Sequence, residues 1–268
     1  MPKVKANHFT MHYEQQGSGE PLILIPFLTA DNACYAFQVA EYSKQFTCIS
    51  VDLRGTGESD KPDGAYSTET LADDVAGFMK ELGIGKAHIS GLSLGGAIGM
   101  WLAAKHPEMV KSLSLHSAWP KTDPYLKSVI STFQILAKAI GSVSEMAVQA
   151  LFPWCLTPEL YASKPEYVET LAQFVRSRPA QSLPSFLDQS NAVLTHDAQS
   201  QLGRMVAPTL ITFGRQDVAT STRFAEVMKK GIRNSELLIF EGCAHAPIYE
   251  HVEEFNEKTL QFLKRHQN

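Results

Sequence analysis

A chain of 268 residues, 44% apolar and 19% charged, is long enough to bury one large core and to carry an inserted subdomain. Its net charge of −4 argues against nucleic acid or an anionic membrane surface as a partner. No apolar run reaches the roughly 18 residues of a membrane span, and the start, Met1-Pro2-Lys3-Val4-Lys5, lacks a signal-peptide core. Cys34, Cys48, Cys155 and Cys243 are scattered without a C-x-x-C pair. Free thiols in a reducing, cytoplasmic setting are expected, with neither zinc nor disulfides.

Residues 8–14 alternate well enough for a strand near a sheet edge, and Gln16-Gly17-Ser18-Gly19 makes a turn. Residues 21–26 are a continuous apolar run of the kind buried on both faces, and 47–51 form a second. The latter runs into the turn-rich loop Asp52-Leu53-Arg54-Gly55-Thr56-Gly57-Glu58-Ser59-Asp60. Leu71, Val75, Phe78, Met79 and Leu82 then fall on one helical face, stopped by Gly83 and Gly85.

A short strand from Ala87 follows, then Gly91-x-Ser93-x-Gly95, then a helix read over 97–105. A serine between two glycines on a tight strand-to-helix turn is a nucleophile elbow: the strained backbone lifts the hydroxyl clear of its neighbours. Three such fixed positions arise by chance in about one chain of this length in ten. A close-packed glycine-rich junction is the plainer alternative for the pentapeptide alone.

Residues 110–115 supply another strand, and strands alternating with helices argue for a mostly parallel, doubly wound α/β sheet. The rhythm breaks after Trp119. From 120 to 203 apolar residues recur at helical spacing, chopped by prolines 153, 158, 165, 179 and 184. A structureless loop of that length is improbable. A helical lid over 120–203 is expected, inserted into a core of 1–119 and 204–268. Arg176 and Arg178, beside Ser177 and Pro179, read as an exposed turn. The sheet resumes at 208–213, followed by a helix over 222–230, a last strand over 236–240 and a terminal helix.

Reactive groups gather at the carboxyl ends of strands in an open parallel sheet. Ser93, Asp217 and His245 all end up there, in the order Ser…Asp…His. A serine hydroxyl needs an adjacent base; His245 fits that role, and Asp217 would hold its tautomer. Asp217 could instead simply cap the following turn. Asp123 is a weaker candidate acid, already inside the lid.

The whole chain, about residues 8–265, resembles an α/β-hydrolase-fold serine hydrolase. Gly91-Leu92-Ser93-Leu94-Gly95-Gly96, Trp101-Leu102-Ala103-Ala104-Lys105-His106-Pro107, the D-x-R-G-x-G-x-S match of Asp52 to Ser59 and the 66–82 helix are similar to the 3-oxoadipate enol-lactonase and small-carboxylesterase branch. Most of this fold carries His-Gly after the first buried strand; here the stretch is Pro26-Phe27-Leu28-Thr29-Ala30-Asp31. Backbone donors do not depend on side chains, so Leu28 N–H with Leu94 N–H can still form an oxyanion hole, with Phe27 the alternative donor. The resemblance implies hydrolysis of a carboxylic ester or lactone, acyl-homoserine lactones included, through an acyl-enzyme and without metal or organic cofactor. Carbon–carbon bond hydrolysis of a diketone-like substrate, or a nearly silent ligand receptor on the same fold, are the alternatives. Serine at 93 speaks against the epoxide-hydrolase and dehalogenase schemes, which resemble one with aspartate there. Phe27, Trp119, Phe152 and Trp154 are candidate substrate-pocket residues, although packing of lid on core is the plainer account of each aromatic.

Overall fold

A computed structural model describes residues 2–267. Eight strands form one sheet: β1 (Lys3–Ala6), β2 (Phe9–Gln16), β3 (Glu20–Ile25), β4 (Phe46–Val51), β5 (Ala87–Leu92), β6 (Val110–His116), β7 (Thr209–Gly214) and β8 (Ser235–Phe240). Their order is β1-β2-β4-β3-β5-β6-β7-β8. The first two strands run antiparallel to their neighbours and the remaining pairs are parallel. β3 is buried from Leu22 to Ile25, which is why that stretch is an apolar run. β5 is buried at every position too, its polar His88 and Ser90 bonded to Ser112 (2.7 Å) and His116 (3.1 Å) of β6.

Helices cover both faces. α1 (Ala36–Tyr42) packs with the terminal helix on one side, while α2 (Thr68–Glu81) and α3 (Leu94–Lys105) lie together on the other. Between β6 and β7 run α4 (Pro124–Ile140), α5 (Val143–Met146), α6 (Phe152–Cys155), α7 (Pro158–Ser163), α8 (Pro165–Ser177) and α9 (Leu183–Leu194). α10 (Ala225–Gly231), α11 (Pro247–Glu250) and α12 (Val252–Arg265) complete the chain. The sequence expectation missed β1 and α1 and began α3 three residues late. Among the described residues no helix is long and apolar enough to cross a membrane.

The inserted helices leave and rejoin the sheet at one narrow neck. Thr122 N donates to His196 O (2.9 Å), Ala198 N donates to Pro120 O (2.7 Å), and Lys121 pairs with Asp197 across the same two strands. His196 braces this neck: its Nε2 lies 3.0 Å from Trp119 O and its Nδ1 2.7 Å from Thr68 Oγ1. Burial pushes His196 down to about 4 and His116, in the sheet, to about 3.

Both rings are therefore neutral when folded but bind a proton when unfolded below their ordinary value near 6.5. Their contribution is fully present above that value and is lost as pH falls toward the folded values. Each costs on the order of 2 kcal/mol between pH 7 and 5. The urea midpoint is expected to fall across that interval; an unchanged midpoint would contradict neutral burial of these rings.

Candidate active site

Ser93 sits between β5 and α3 with φ 56° and ψ −116°, a left-side backbone conformation that costs a non-glycine residue about 1–3 kcal/mol. The surroundings hold it there. Ser93 N donates to His116 O (2.8 Å), and Ala97 N returns a bond to Ser93 O (3.1 Å). A Cβ on Gly91 would collide with the Gly95 carbonyl, and one on Gly95 with the Ile25 carbonyl. The two glycines thus let β5, α3 and the end of β3 meet closely, which is the physical content of the motif.

Asp217 and His245 come together at the ends of β7 and β8. His245 Nδ1 is 2.9 Å from Asp217 Oδ2, and the carboxylate is 3% exposed. The other oxygen, Oδ1, accepts from Ala219 N (2.8 Å) and Thr220 N (2.9 Å). So Asp217 caps its turn and faces the histidine at once; the two readings of it are compatible. Burial would raise its pKa, but the charge and hydrogen bond of His245, with the bonds from Thr220, outweigh it and hold the carboxyl below the usual range. Asp123 does other work. It accepts from Leu126 N (2.7 Å) at the start of α4 and pairs with Arg223 (2.8 Å).

Three residues at the site are not singled out by the sequence reading. Thr220 Oγ1 lies 2.8 Å from Asp217 Oδ2 and 3.1 Å from His245 Nδ1. The buried Tyr35 hydroxyl donates to Ile25 O (2.8 Å) and accepts from Leu92 N (3.0 Å), tying the end of β3 to the residue before Ser93. Glu250 accepts from Ala244 N (2.7 Å) and Thr157 N (2.7 Å), and Ala246 N donates to Cys155 O (3.2 Å). Both neighbours of His245 are therefore bonded into the α6–α7 region. D-x-x-T at 217–220 is an Asx-turn pattern that could have pointed to Thr220; Tyr35 and Glu250 act through long-range contacts that local spacing does not encode.

Ser93 and His245 line one cavity of about 130 Å³, together with Phe27, Leu28, Trp119, Phe152 and Trp154. Leu94 is buried at the first position of α3, where a helix amide has no partner within its own helix. Between Phe27 and Leu28 as donor the turn geometry is permissive: Ala30 N donates to Phe27 O (3.2 Å), folding 27–30 back on itself. Most of the cavity wall is aliphatic or aromatic. One sequence expectation is corrected here. Arg176 pairs with Glu145 (2.8 Å) on the outside of the insertion, but Arg178 lines the cavity, with Nε 2.8 Å from Asp31 Oδ2. Arg178 follows the last turn of α8 in extended backbone, and its position seven residues after the buried Leu171 is on the inward side of that helix.

Residues 20–252 match the model of the alpha/beta hydrolase fold family. The chain is 30% identical over 260 residues to the AB hydrolase superfamily protein YisY of Bacillus subtilis, covering 95% of this chain and 96% of that protein. It is 25% identical over 265 residues to the putative carbamate hydrolase RutD of Azorhizobium caulinodans, covering 98% of each. Its structure superposes on the enol-lactonase of Burkholderia xenovorans LB400 with a TM-score of 0.88 at 24% identity, covering 98% of this chain and all of that one, a likeness of fold. A family match over most of its length, on the sheet and helices just described, means that this chain belongs to the α/β-hydrolase-fold family.

Proposed function

We propose that this protein is a serine hydrolase that cleaves carboxylic esters or lactones through an acyl-enzyme on Ser93. One observation carries the reading: Asp217 and His245 are 2.9 Å apart, and His245 shares its cavity with a serine held at positive φ. Since Nδ1 of His245 faces the carboxylate, Nε2 is the nitrogen left to take the Ser93 proton. The serine oxygen attacks the carbonyl carbon, and the oxyanion accepts from Leu94 N–H and from Leu28 or Phe27 N–H. His245 then protonates the leaving alkoxide, which in a lactone stays attached as the far end of the acyl chain. Water, deprotonated by the same nitrogen, releases the acid and restores Ser93. The resident groups suffice for this sequence, and the substrate is a small molecule. Four unpaired cysteines favour a reducing, cytoplasmic setting.

The apolar wall supports a substrate held mainly by burial. Each added methylene should contribute about 0.8 kcal/mol until the space fills. The cavity of about 130 Å³ is close to the ~150 Å³ that admits a benzene ring. In a series of 4-nitrophenyl esters, kcat/KM is expected to climb to about six acyl carbons and then drop. No turnover of any member would favour the receptor reading, and hydrolysis confined to a diketone would favour carbon–carbon cleavage.

A further inference from the structure

Among the residues lining the cavity, Arg178 is the one permanent cation and Asp31 the one carboxylate. They come from different parts of the molecule: Arg178 from the end of α8 and Asp31 from the turn that carries Phe27 and Leu28. Asp31 is 6% exposed and is fully engaged, with Oδ1 accepting from Ala33 N (3.1 Å) and Oδ2 from Arg178 Nε (2.8 Å). A guanidinium has five N–H groups, and this bond uses only the one on Nε. Among the described residues nothing accepts from Nη1 or Nη2, so four donors remain on a side chain 37% exposed. The Phe174 ring lies 5.8 Å from Cζ, so the guanidinium is held by an aromatic neighbour as well as by the carboxylate.

An anchored fork with free donors, in a wall that is mostly apolar, can select among substrates by hydrogen bonding. The Asp31–Arg178 pair is neutral overall, so a substrate carboxylate docking on the fork would also stand near Asp31. A neutral oxygen acceptor gains the hydrogen bonds without that repulsion. Asp31 follows directly on the 27–30 turn whose amides are assigned to the carbonyl oxygen, and Arg178 lines the same cavity as Ser93.

We propose that Arg178 is a specificity-determining residue that selects acyl groups bearing a neutral oxygen acceptor, a keto or amide carbonyl, over plain alkyl chains and over carboxylates. This rests on the ester-hydrolase reading of the same cavity. Three 4-nitrophenyl esters of nearly equal length test it: pentanoate, 4-oxopentanoate and hemisuccinate. Each rate is normalised to hydroxide hydrolysis and corrected for the Ser93→Ala background. The wild type should prefer 4-oxopentanoate to pentanoate by about tenfold or more in kcat/KM, the range of a hydrogen bond to a charged group. Arg178→Met should abolish that preference whatever its absolute rate on pentanoate, its fold being certified by circular dichroism and by uptake of one fluorophosphonate per chain. Arg178→Lys, with the charge but no fork, should lose most of it. Asp31→Asn should move the preference toward hemisuccinate, because the guanidinium then carries uncompensated charge. Equal wild-type rates on 4-oxopentanoate and pentanoate, or a preference that survives Arg178→Met, overturns the proposal. If pentanoate itself is not hydrolysed, the hydrolase reading fails instead. The same three esters are then compared for binding to Ser93→Ala by quenching of Trp119 and Trp154, where the same ranking supports selection by Arg178 and equal affinity overturns it.

Discussion

Ser93→Ala is expected to lower kcat for ester hydrolysis by about 10⁶, the scale seen when the nucleophile of a serine triad is removed. The geometry makes this a clean deletion. Alanine can occupy the same positive-φ backbone, because β5 and α3 are held by the Ser93 N and O hydrogen bonds rather than by the side chain. The wild type should take up one fluorophosphonate per chain, and the variant none. An adduct persisting in Ser93→Ala, read by intact mass, would place the nucleophile elsewhere. Ser93→Gly should be equally inactive yet more stable, since glycine occupies positive φ without the strain.

Asp217→Asn should cost roughly 10⁴ in kcat with little change in KM. The hydrogen bonds of the carboxylate give the reason. Oδ1 already accepts two backbone N–H groups, from Ala219 and Thr220. An asparagine must keep its one carbonyl oxygen there and turn its NH₂ toward His245. Nδ1 would then become an acceptor, Nε2 would carry the proton, and the ring could no longer take the proton of Ser93. Asp123→Asn is the control: it should leave turnover nearly intact, its oxygens being spent on the α4 cap and on Arg223. The opposite ranking in steady-state kinetics would move the acid to position 123.

The sheet was legible because burial on both faces writes itself as apolar runs, as at Leu22 to Ile25 and in β7. The elbow was legible because close backbone approach admits only glycine at 91 and 95. Gly95 and Gly96 hid the start of α3: glycines are poor helix formers, and tertiary packing overrides that preference. β1 was missed because an edge strand with Lys3 and Lys5 exposed looks like any polar tail. α1 was missed because two buried residues secure it inward through polar groups: Tyr42 bonds to Thr259, and Gln38 bonds to Asn256 (3.0 Å) and to Ile248 O (3.2 Å), all more than two hundred positions away. Arg178 was misread for a related reason. Its neighbours Ser177 and Pro179 say turn, while the partner that draws it inward, Asp31, lies 147 residues earlier.

The neck at Lys121 and Asp197 has a bearing on how such a protein can diversify. Because the inserted helices enter and leave through segments joined by one antiparallel bridge, the sheet meets them as it would meet a short hairpin. Loop-closure cost grows only slowly with length. Residues can therefore be added, deleted or exchanged beyond the neck without altering the register of β6 with β7. On the proposed reading the roof over Ser93 can change while Ser93, Asp217 and His245 stay with the frame, provided the bonds from Thr157 and Cys155 to the His245 segment are kept.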